Sequence, residues 1–298
     1  MFEAIIALAL IGLIFGLVLG LASKKLAVET DPTIDELILA LPGANCGACG
    51  YPGCSGLAEA IANGQANIDA CIPGGKEVAD HIASIMGMDA GSGKEPLIAR
   101  VRCQGTHEKS KYIYDYEGIA SCDMAASYFQ GSKDCIYGCF GLGTCAQSCP
   151  FDAITMGEDN LPDIHLDKCT GCGICVEACP QNIIILSRAT QRVFVSCCNT
   201  DKGKDSRKVC TTSCIKCGIC ERGCPFEAIK IIPSGNGSIA RIDETLCTNC
   251  GWCADNCPTG AIEIIEPLPV FFNMNNPTES LPASDTASMS CGSCTLCK

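Results

Sequence analysis

The sequence predicts an α+β chain with an apolar N-terminal helix, a small helical unit and two repeated units of short helices and strands. Residues 4–23 contain no charged side chain, and cysteine accounts for 28 of the 298 residues. The run C-x2-C-x2-C-x3-C-P occurs three times, at Cys169–Pro180, Cys214–Pro225 and Cys247–Pro258. In such a run three cysteines bind one iron–sulfur cluster and the fourth binds a neighbouring cluster. The repeated units are therefore predicted to be ferredoxin-like.

The N-terminal segment, residues 1–26, is predicted to be a single transmembrane helix. Its uncharged stretch is just long enough to span a bilayer. Lys24 and Lys25 follow at once, while Glu3 is the only charged side chain before the stretch. The positive-inside rule then places the remaining domains on the cytoplasmic side of the cell (inner) membrane. A cleaved signal peptide is the alternative, but it would need a basic leading segment and a shorter apolar run.

Residues 30–90 are predicted to form a small, helix-rich domain that binds one 4Fe–4S cluster. Asp31 and Pro32 are typical of a helix start. The cysteines that follow have the spacing C-x2-C-x4-C-x16-C and are Cys46, Cys49, Cys54 and Cys71. Glycines between them allow the backbone to wrap closely around a metal centre.

Two ferredoxin-like modules are predicted in residues 96–192 and 193–266. The second holds two regular sites, formed by Cys214, Cys217, Cys220 and Cys257, and by Cys247, Cys250, Cys253 and Cys224. The regular site of the first consists of Cys169, Cys172, Cys175 and Cys149. Its second site is irregular, because Leu142 occupies the position that corresponds to Cys217. We assign that site to Cys135, Cys139, Cys145 and Cys179, with Cys122 as the rival of Cys135.

Eight cysteines remain outside these five sites: Cys103, Cys122, Cys197, Cys198, Cys210, Cys291, Cys294 and Cys297. One cysteine from each of the similar segments 101–103 and 195–198, together with Cys122 and Cys210, would form a sixth site between the modules. The last three cysteines lie in a C-terminal tail, residues 267–298, and would need a remote fourth ligand. Free or buried thiols are the alternative for all eight. The chain is thus predicted to bind at least five 4Fe–4S clusters, and six or seven if these cysteines also bind.

The cysteine spacing argues against disulfides and zinc. Three cysteines at every third residue can converge on one metal centre, but they cannot all pair at the Cα separations that disulfides need. Structural zinc sites usually combine two separated C-x2-C pairs. The net charge of −12 excludes nucleic acid as a partner, because phosphate binding needs a basic surface. The sequence contains no flavin or nicotinamide fingerprint.

One segment of this acidic chain is rich in basic side chains: Arg188, Arg192, Lys202, Lys204, Arg207 and Lys208. It is a candidate docking surface for soluble ferredoxin, which is usually acidic, because opposite charges steer association. A solvated loop without a partner is the alternative.

The stretch Asn45–Cys54, with Cys71 after it, resembles the 4Fe–4S domain of the B subunit of Rnf complexes. A similar domain occurs in the large subunit of corrinoid iron–sulfur proteins. The order of anchor, 4Fe–4S domain and ferredoxin repeats matches the Rnf family over nearly the whole chain. The resemblance implies a subunit of an Na+/H+-translocating ferredoxin:NAD+ oxidoreductase that takes electrons from reduced ferredoxin and relays them to other subunits. The alternative is a polyferredoxin-type carrier for a hydrogenase or a corrinoid-protein reductase.

Overall fold

The computed structural model describes residues 2–25, 31–89, 91, 95–128 and 130–265. Its helices are α1 (Phe2–Lys25), α2 (Pro32–Ala40), α3 (Gly53–Ala62), α4 (Gly75–Met86), α5 (Cys122–Tyr128), α6 (Thr144–Gln147), α7 (Ile174–Glu177), α8 (Gly203–Val209), α9 (Ile219–Arg222) and α10 (Trp252–Asp255). Its strands are β1 (Leu97–Val101), β2 (Ile154–Met156), β3 (Pro162–Ile164), β4 (Ile184–Arg188), β5 (Val193–Val195), β6 (Ile229–Ser234), β7 (Gly237–Ile242) and β8 (Ile262–Ile264). The predicted tail with Cys291, Cys294 and Cys297 lies outside the described residues.

Helix α1 coincides with the predicted membrane anchor. Its described large apolar side chains are exposed, including Phe15 and Leu19. Across the ranges given above, however, no helix is both long enough and apolar enough to cross a membrane. The predicted transmembrane span is therefore not confirmed.

Helices α2, α3 and α4 form a small helical unit around an aliphatic core. The Asp31 side chain accepts a hydrogen bond from the Thr33 amide at 3.0 Å, which caps α2 as its sequence predicts. Leu37, Ile61 and Ile82 are almost completely buried where the three helices meet. This packing holds the loops before α3 and before α4 next to each other.

The eight described strands form four antiparallel pairs, with the same pattern in both modules. In the first module β1 pairs with β4 and β2 pairs with β3, while in the second β5 pairs with β8 and β6 pairs with β7. Each module thus has an inner hairpin enclosed by an outer pair. Four short helices each begin after a glycine with positive φ: Gly143, Gly173, Gly218 and Gly251. The left-handed turn at these glycines lets the cysteine run reverse direction before its helix.

Cysteines make up much of the interior of both modules. The buried core of the first combines Ile154, Ile183 and Ile184 with several cysteines, whereas in the second partly buried cysteines pack against an aliphatic core around Val193 and Ile229. These cores contain few large apolar side chains. Such interiors need stabilisation beyond aliphatic burial, as small domains with metal centres do.

Candidate iron–sulfur sites

The first four-cysteine site lies in the helical unit. The Asn45 side chain accepts a hydrogen bond from the Cys54 amide at 2.8 Å and so folds the loop onto the start of α3. Gly53 has a φ of 88°, and a Cβ there would lie 2.9 Å from Asn45 Oδ1. Burial raises the pKa of Cys71, and charge repulsion raises it further, from Cys54, Cys49 and Cys46. The four cysteines that the spacing predicts for this site therefore lie together.

Three ferredoxin-like sites bring together the cysteines that the repeat assigns to them. One small cavity is lined by Cys149, Cys169, Cys172 and Cys175. Another is lined by Cys224, Cys247, Cys250 and Cys253. In the third site burial raises the pKa of Cys220 to about 11, with further repulsion from Cys214, Cys217 and Cys257. In each site, three cysteines come from one run and the fourth comes from the other run of the same module.

The irregular site of the first module differs from its predicted composition. Its cavity is lined by Cys122, Cys139, Cys145 and Cys179. Cys122 starts helix α5, and its amide donates a hydrogen bond to Thr144 Oγ1 at 2.8 Å. Burial raises the pKa of Cys145 to about 11, and Cys122 and Cys179 raise it further. The structure thus places the rival residue Cys122 at the position that we assign from sequence to Cys135.

Cys135 lines a different cavity, at the boundary between the two modules. This cavity contains five cysteines: Cys103, Cys135, Cys197, Cys198 and Cys210. Cys103 and Cys197 form an isolated antiparallel bridge, and Ser110 and Cys210 form another. We call this cavity the boundary cavity. Eight cysteines lie outside the five predicted sites. Four of them, Cys103, Cys197, Cys198 and Cys210, line the boundary cavity, and Cys122 lines the irregular site. The other three belong to the C-terminal tail.

N–H groups point at the cysteine sulfurs in the regular sites. The Ala99 amide donates to Cys169 Sγ and the Ala153 amide to Cys149 Sγ, both at 3.4 Å. The Gln191 side-chain amide donates to Cys247 Sγ at 3.3 Å. Such donors stabilise negative charge on sulfur and are one means of setting the reduction potential of a cluster.

The environment of the thiols fits a thiolate-bound metal cluster. Burial raises the pKa of Cys175 and of Cys253 to about 12, with repulsion from neighbouring thiolates as a further cause. These thiols are therefore neutral at pH 7 unless a metal stabilises the thiolate form. Among the described residues no three His, Cys, Asp or Glu side chains lie close enough to bind one metal ion. A 4Fe–4S cluster instead distributes four thiolates over four irons, so its ligands need not converge on one ion.

Three buried cations beside these sites are not evident from the sequence. Arg100, Arg102 and Lys133 are each 5–6% exposed. Arg100 lies near Cys169 and Glu244, and Arg102 lies near Cys197, Cys198 and Cys214. Over the part of the chain that the structure describes, neither Arg102 nor Lys133 forms a salt bridge. A buried cation without a carboxylate partner is costly, so this arrangement fits a site that gains negative charge.

The predicted docking side chains fall into two groups. Arg188 forms an ion pair with Glu95 at 3.5 Å, and Arg192 is partly buried. The others lie on or just before α8 and are exposed: Lys202, Lys204, Arg207 and Lys208. Lys208 is paired with Asp205 at 2.9 Å. The exposed positive charge is thus concentrated on α8.

Three models of iron–sulfur domain families match parts of the chain. Residues 41–73 match the FeS family, a model for an Fe–S cluster domain. Residues 134–183 and 213–261 match one model of a 4Fe-4S dicluster domain, and residues 168–228 match another. All cysteines of the described four-cysteine sites except Cys122 fall within these regions.

Several known proteins are similar over most of the chain. The B subunit of the Na(+)-translocating ferredoxin:NAD(+) oxidoreductase complex of Acetobacterium woodii is 48% identical over 79% of this chain and 69% of its own length. The B subunit of the proton-translocating ferredoxin:NAD(+) oxidoreductase complex of Clostridium ljungdahlii is 43% identical, over 81% and 84%. The B subunit of the ion-translocating oxidoreductase complex of Methanosarcina acetivorans is 42% identical, over 72% and 80%. The chain therefore belongs to the family of iron–sulfur B subunits of Rnf-type ion-translocating oxidoreductase complexes.

Proposed function

We propose that this subunit accepts electrons from reduced ferredoxin and relays them to other subunits of an ion-translocating ferredoxin:NAD+ oxidoreductase. The observation that carries the proposal is the succession of four-cysteine sites through the helical unit and both modules. The proposed ligand sets are Cys46, Cys49, Cys54 and Cys71; Cys149, Cys169, Cys172 and Cys175; Cys122, Cys139, Cys145 and Cys179; Cys214, Cys217, Cys220 and Cys257; and Cys224, Cys247, Cys250 and Cys253. Bound clusters supply one-electron transfer, which needs no general base or nucleophile from the protein.

The protein contributes close spacing, partial shielding from solvent and charge compensation. Aliphatic strand residues such as Ile154 and Ile229 cover the sites, and amide donors point at the sulfurs. Buried cations offset negative charge that builds up on reduction. Reduction of NAD+ is proposed to take place on another subunit.

Helix α8 is the proposed docking surface for ferredoxin. Lys204 and Arg207 are exposed there on a chain whose net charge is −12. Opposite charge on an acidic partner raises the association rate, and salt screens this effect. The double substitution Lys204→Glu/Arg207→Glu should slow electron uptake from ferredoxin at low salt by about tenfold. The matched control is Lys230→Glu on β6, because Lys230 is an exposed lysine on another element.

Helix α1 is proposed to attach the subunit to the membrane part of the complex. Its exposed side chains include Leu10, Phe15 and Leu19, which water solvates poorly. Alkaline carbonate extraction of native membranes tests this role. The full chain should stay in the pellet, and a chain without residues 2–25 should appear in the supernatant. Extraction of both forms would contradict the attachment.

The electron-transfer proposal is tested on the full chain prepared without oxygen. Metal analysis should give at least about 20 irons per chain, four for each of these five sites. In a rapid-mixing experiment, reduced ferredoxin should bleach the visible absorption of the clusters. Zinc in place of iron, or iron clusters that reduced ferredoxin does not reduce, would overturn the proposal. Co-purification with a hydrogenase or a corrinoid protein instead of Rnf subunits would favour the alternative carriers.

A further inference from the structure

The boundary cavity is built from equivalent positions of the two modules. Cys103 follows β1 and Cys197 follows β5, and the two residues face each other in an antiparallel bridge. Cys135 and Cys210 precede equivalent cysteine runs by the same distance, since Cys135–Cys139 corresponds to Cys210–Cys214. Each module therefore contributes one cysteine after its first strand and one before its run. Four thiols related in this way surround a single space.

Donors to these sulfurs repeat the pattern of the regular sites. The Cys139 amide donates to Cys103 Sγ at 3.4 Å, and the equivalent Cys214 amide donates to Cys197 Sγ at 3.3 Å. The Asn199 side chain donates to Cys135 Sγ at 3.4 Å. Cys210 Sγ lies 3.4 Å from Thr212 Oγ1. These distances match those of the N–H···S bonds at Cys149, Cys169 and Cys247.

Cys198, the fifth cysteine of the cavity, has a different environment. Its Sγ lies 3.1 Å from the Tyr137 carbonyl oxygen, which can only accept a hydrogen bond. A thiol can donate to this oxygen, whereas a thiolate would be repelled by it. Cys198 is therefore suited to remain a protonated thiol, and the other four cysteines are suited to bind metal.

Positive charge surrounds the cavity. Arg102 donates to the carbonyl oxygens of Cys197 and Val195, at 3.1 and 3.4 Å. Lys216 donates to Asn199 Oδ1 at 3.4 Å, and Asn199 in turn donates to Cys135 Sγ. Asp201 is the nearby acid; its described polar contacts are with Asn199 and Tyr137. A thiolate-bound cluster would provide negative charge near the buried Arg102 and the partly buried Lys216.

We infer that Cys103, Cys135, Cys197 and Cys210 bind a sixth 4Fe–4S cluster, while Cys198 stays a free thiol. This inference rests on the proposed function, since it extends the electron path through the five sites above. Its place in that path follows from its donors. Cys139 is assigned to the irregular site of the first module and Cys214 to a site of the second, and both donate amides to sulfurs of the boundary cavity.

Within each module the two sites adjoin through their short helices. Helix α6, which carries Cys145, contacts α7, which carries Cys175. Helix α9, which carries Cys220, contacts α10, which carries Cys253. Cys46 of the helical unit is also close enough to Cys172 to interact with it electrostatically. The six sites are therefore proposed to follow one another in a single line. The boundary cavity joins the two halves of this line. Each step moves one electron between neighbouring sites, and no bond forms or breaks.

The test counts iron and sulfide in the full chain with Cys291, Cys294 and Cys297 all changed to serine. This background removes the tail as a source of additional clusters. We expect about 24 irons per chain, four for each of six clusters. In the same background, the double variant Cys103→Ala/Cys210→Ala should lose about four irons and four sulfides per chain. The electron paramagnetic resonance (EPR) spectrum of its fully reduced form should lose about one spin per chain. The control Cys198→Ala should lose none.

The outcomes separate this inference from the proposed function. About 20 irons in the background chain would overturn the sixth cluster and leave the five-cluster path intact, whereas fewer would contradict the proposed function itself. Equal iron in the background and the double variant would also overturn the sixth cluster. If the double variant loses all its clusters through misfolding, the iron count of the background chain decides. A loss of four irons on Cys198→Ala would show that the ligand set is wrong.

Discussion

Replacing Arg102 with glutamine removes a buried positive charge from the boundary between the modules. The guanidinium is 6% exposed and forms hydrogen bonds to two backbone carbonyls, including that of Cys197. It also lies near Cys214, a proposed ligand of the adjacent site. Reduction adds a negative charge to a cluster, and a nearby cation stabilises the reduced form. We expect Arg102→Gln to make the reduction potential more negative.

The size of the shift follows from the position of the charge. Arg102 Nη2 is 3.1 Å from the Cys197 carbonyl oxygen, and Cys197 would hold the proposed cluster through its Sγ. A separation of about 10 Å and an effective dielectric constant of about 20 give an interaction of about 1.7 kcal/mol. For a one-electron couple this corresponds to about 70 mV.

The assay is a potentiometric titration of the full chain followed by EPR spectroscopy. Arg102→Lys is the matched control, because it keeps the charge and loses the planar fork of donors. We expect the control to shift the potentials by less than about 20 mV, since the charge term dominates. If only the Cys214 site binds a cluster near Arg102, a smaller negative shift should remain at that site. Unchanged potentials or a positive shift in Arg102→Gln would refute this account of the buried cations.

Three further outcomes are expected. Gly223→Ala should destabilise the cluster-loaded protein by about 1–3 kcal/mol, because the new Cβ would overlap the Trp252 ring. Thermal bleaching of the cluster absorption near 400 nm measures the loss of stability. The control Gly157→Ala has room for a Cβ and should change stability little, and equal effects of the two substitutions would contradict the packing argument. Gln191→Leu should lower the potential of the cluster on Cys247 by about 30 mV, since a hydrogen bond that stabilises the reduced form by about 0.7 kcal/mol is lost; an EPR titration that shows no change would exclude that bond as a determinant. Removal of iron by a chelator under reducing conditions should unfold the ferredoxin modules reversibly, because cysteines lie in or pack against both small cores; unchanged far-ultraviolet circular dichroism would contradict this.

The cysteine runs predict their sites well because the determining geometry is local. In a C-x2-C-x2-C run, a left-handed turn such as that at Gly173 brings three thiols to one side before a short helix starts. The crossing of the fourth cysteine follows from the pairing of the outer strands, which the repeat itself encodes. Spacing alone was therefore sufficient for three of the four ferredoxin-like sites as the structure arranges them.

The exchange of Cys122 and Cys135 has a tertiary cause. The segment between Cys103 and Cys139 folds back so that helix α5 brings Cys122 to the irregular site, and local spacing does not encode this fold. The repeat register nevertheless contained a usable signal. Cys135 aligns with Cys210, which belongs to no regular site, and equivalent positions in two modules tend to face the same boundary. That alignment favours a shared site over an irregular one.

The buried cations were not predictable because basic side chains are usually exposed. Arg100 lies within strand β1 and Arg102 directly follows it, so strand alternation places both side chains on the same face. Both are buried because thiol-lined cavities lie on either side of this segment. Only the packing of the two modules shows this.

A line of one-electron sites can store electrons as well as conduct them. Ferredoxin-type donors deliver electrons singly, whereas a nicotinamide accepts two together as a hydride. With clusters bound as proposed, the row of sites that ends at the Cys224 cavity would hold several electrons at once, and the buried Arg102 and Lys133 would limit the repulsion among them. Such a reservoir separates the irregular arrival of donors from the paired demand of the acceptor. A protein of this kind smooths the electron supply to the step that moves ions.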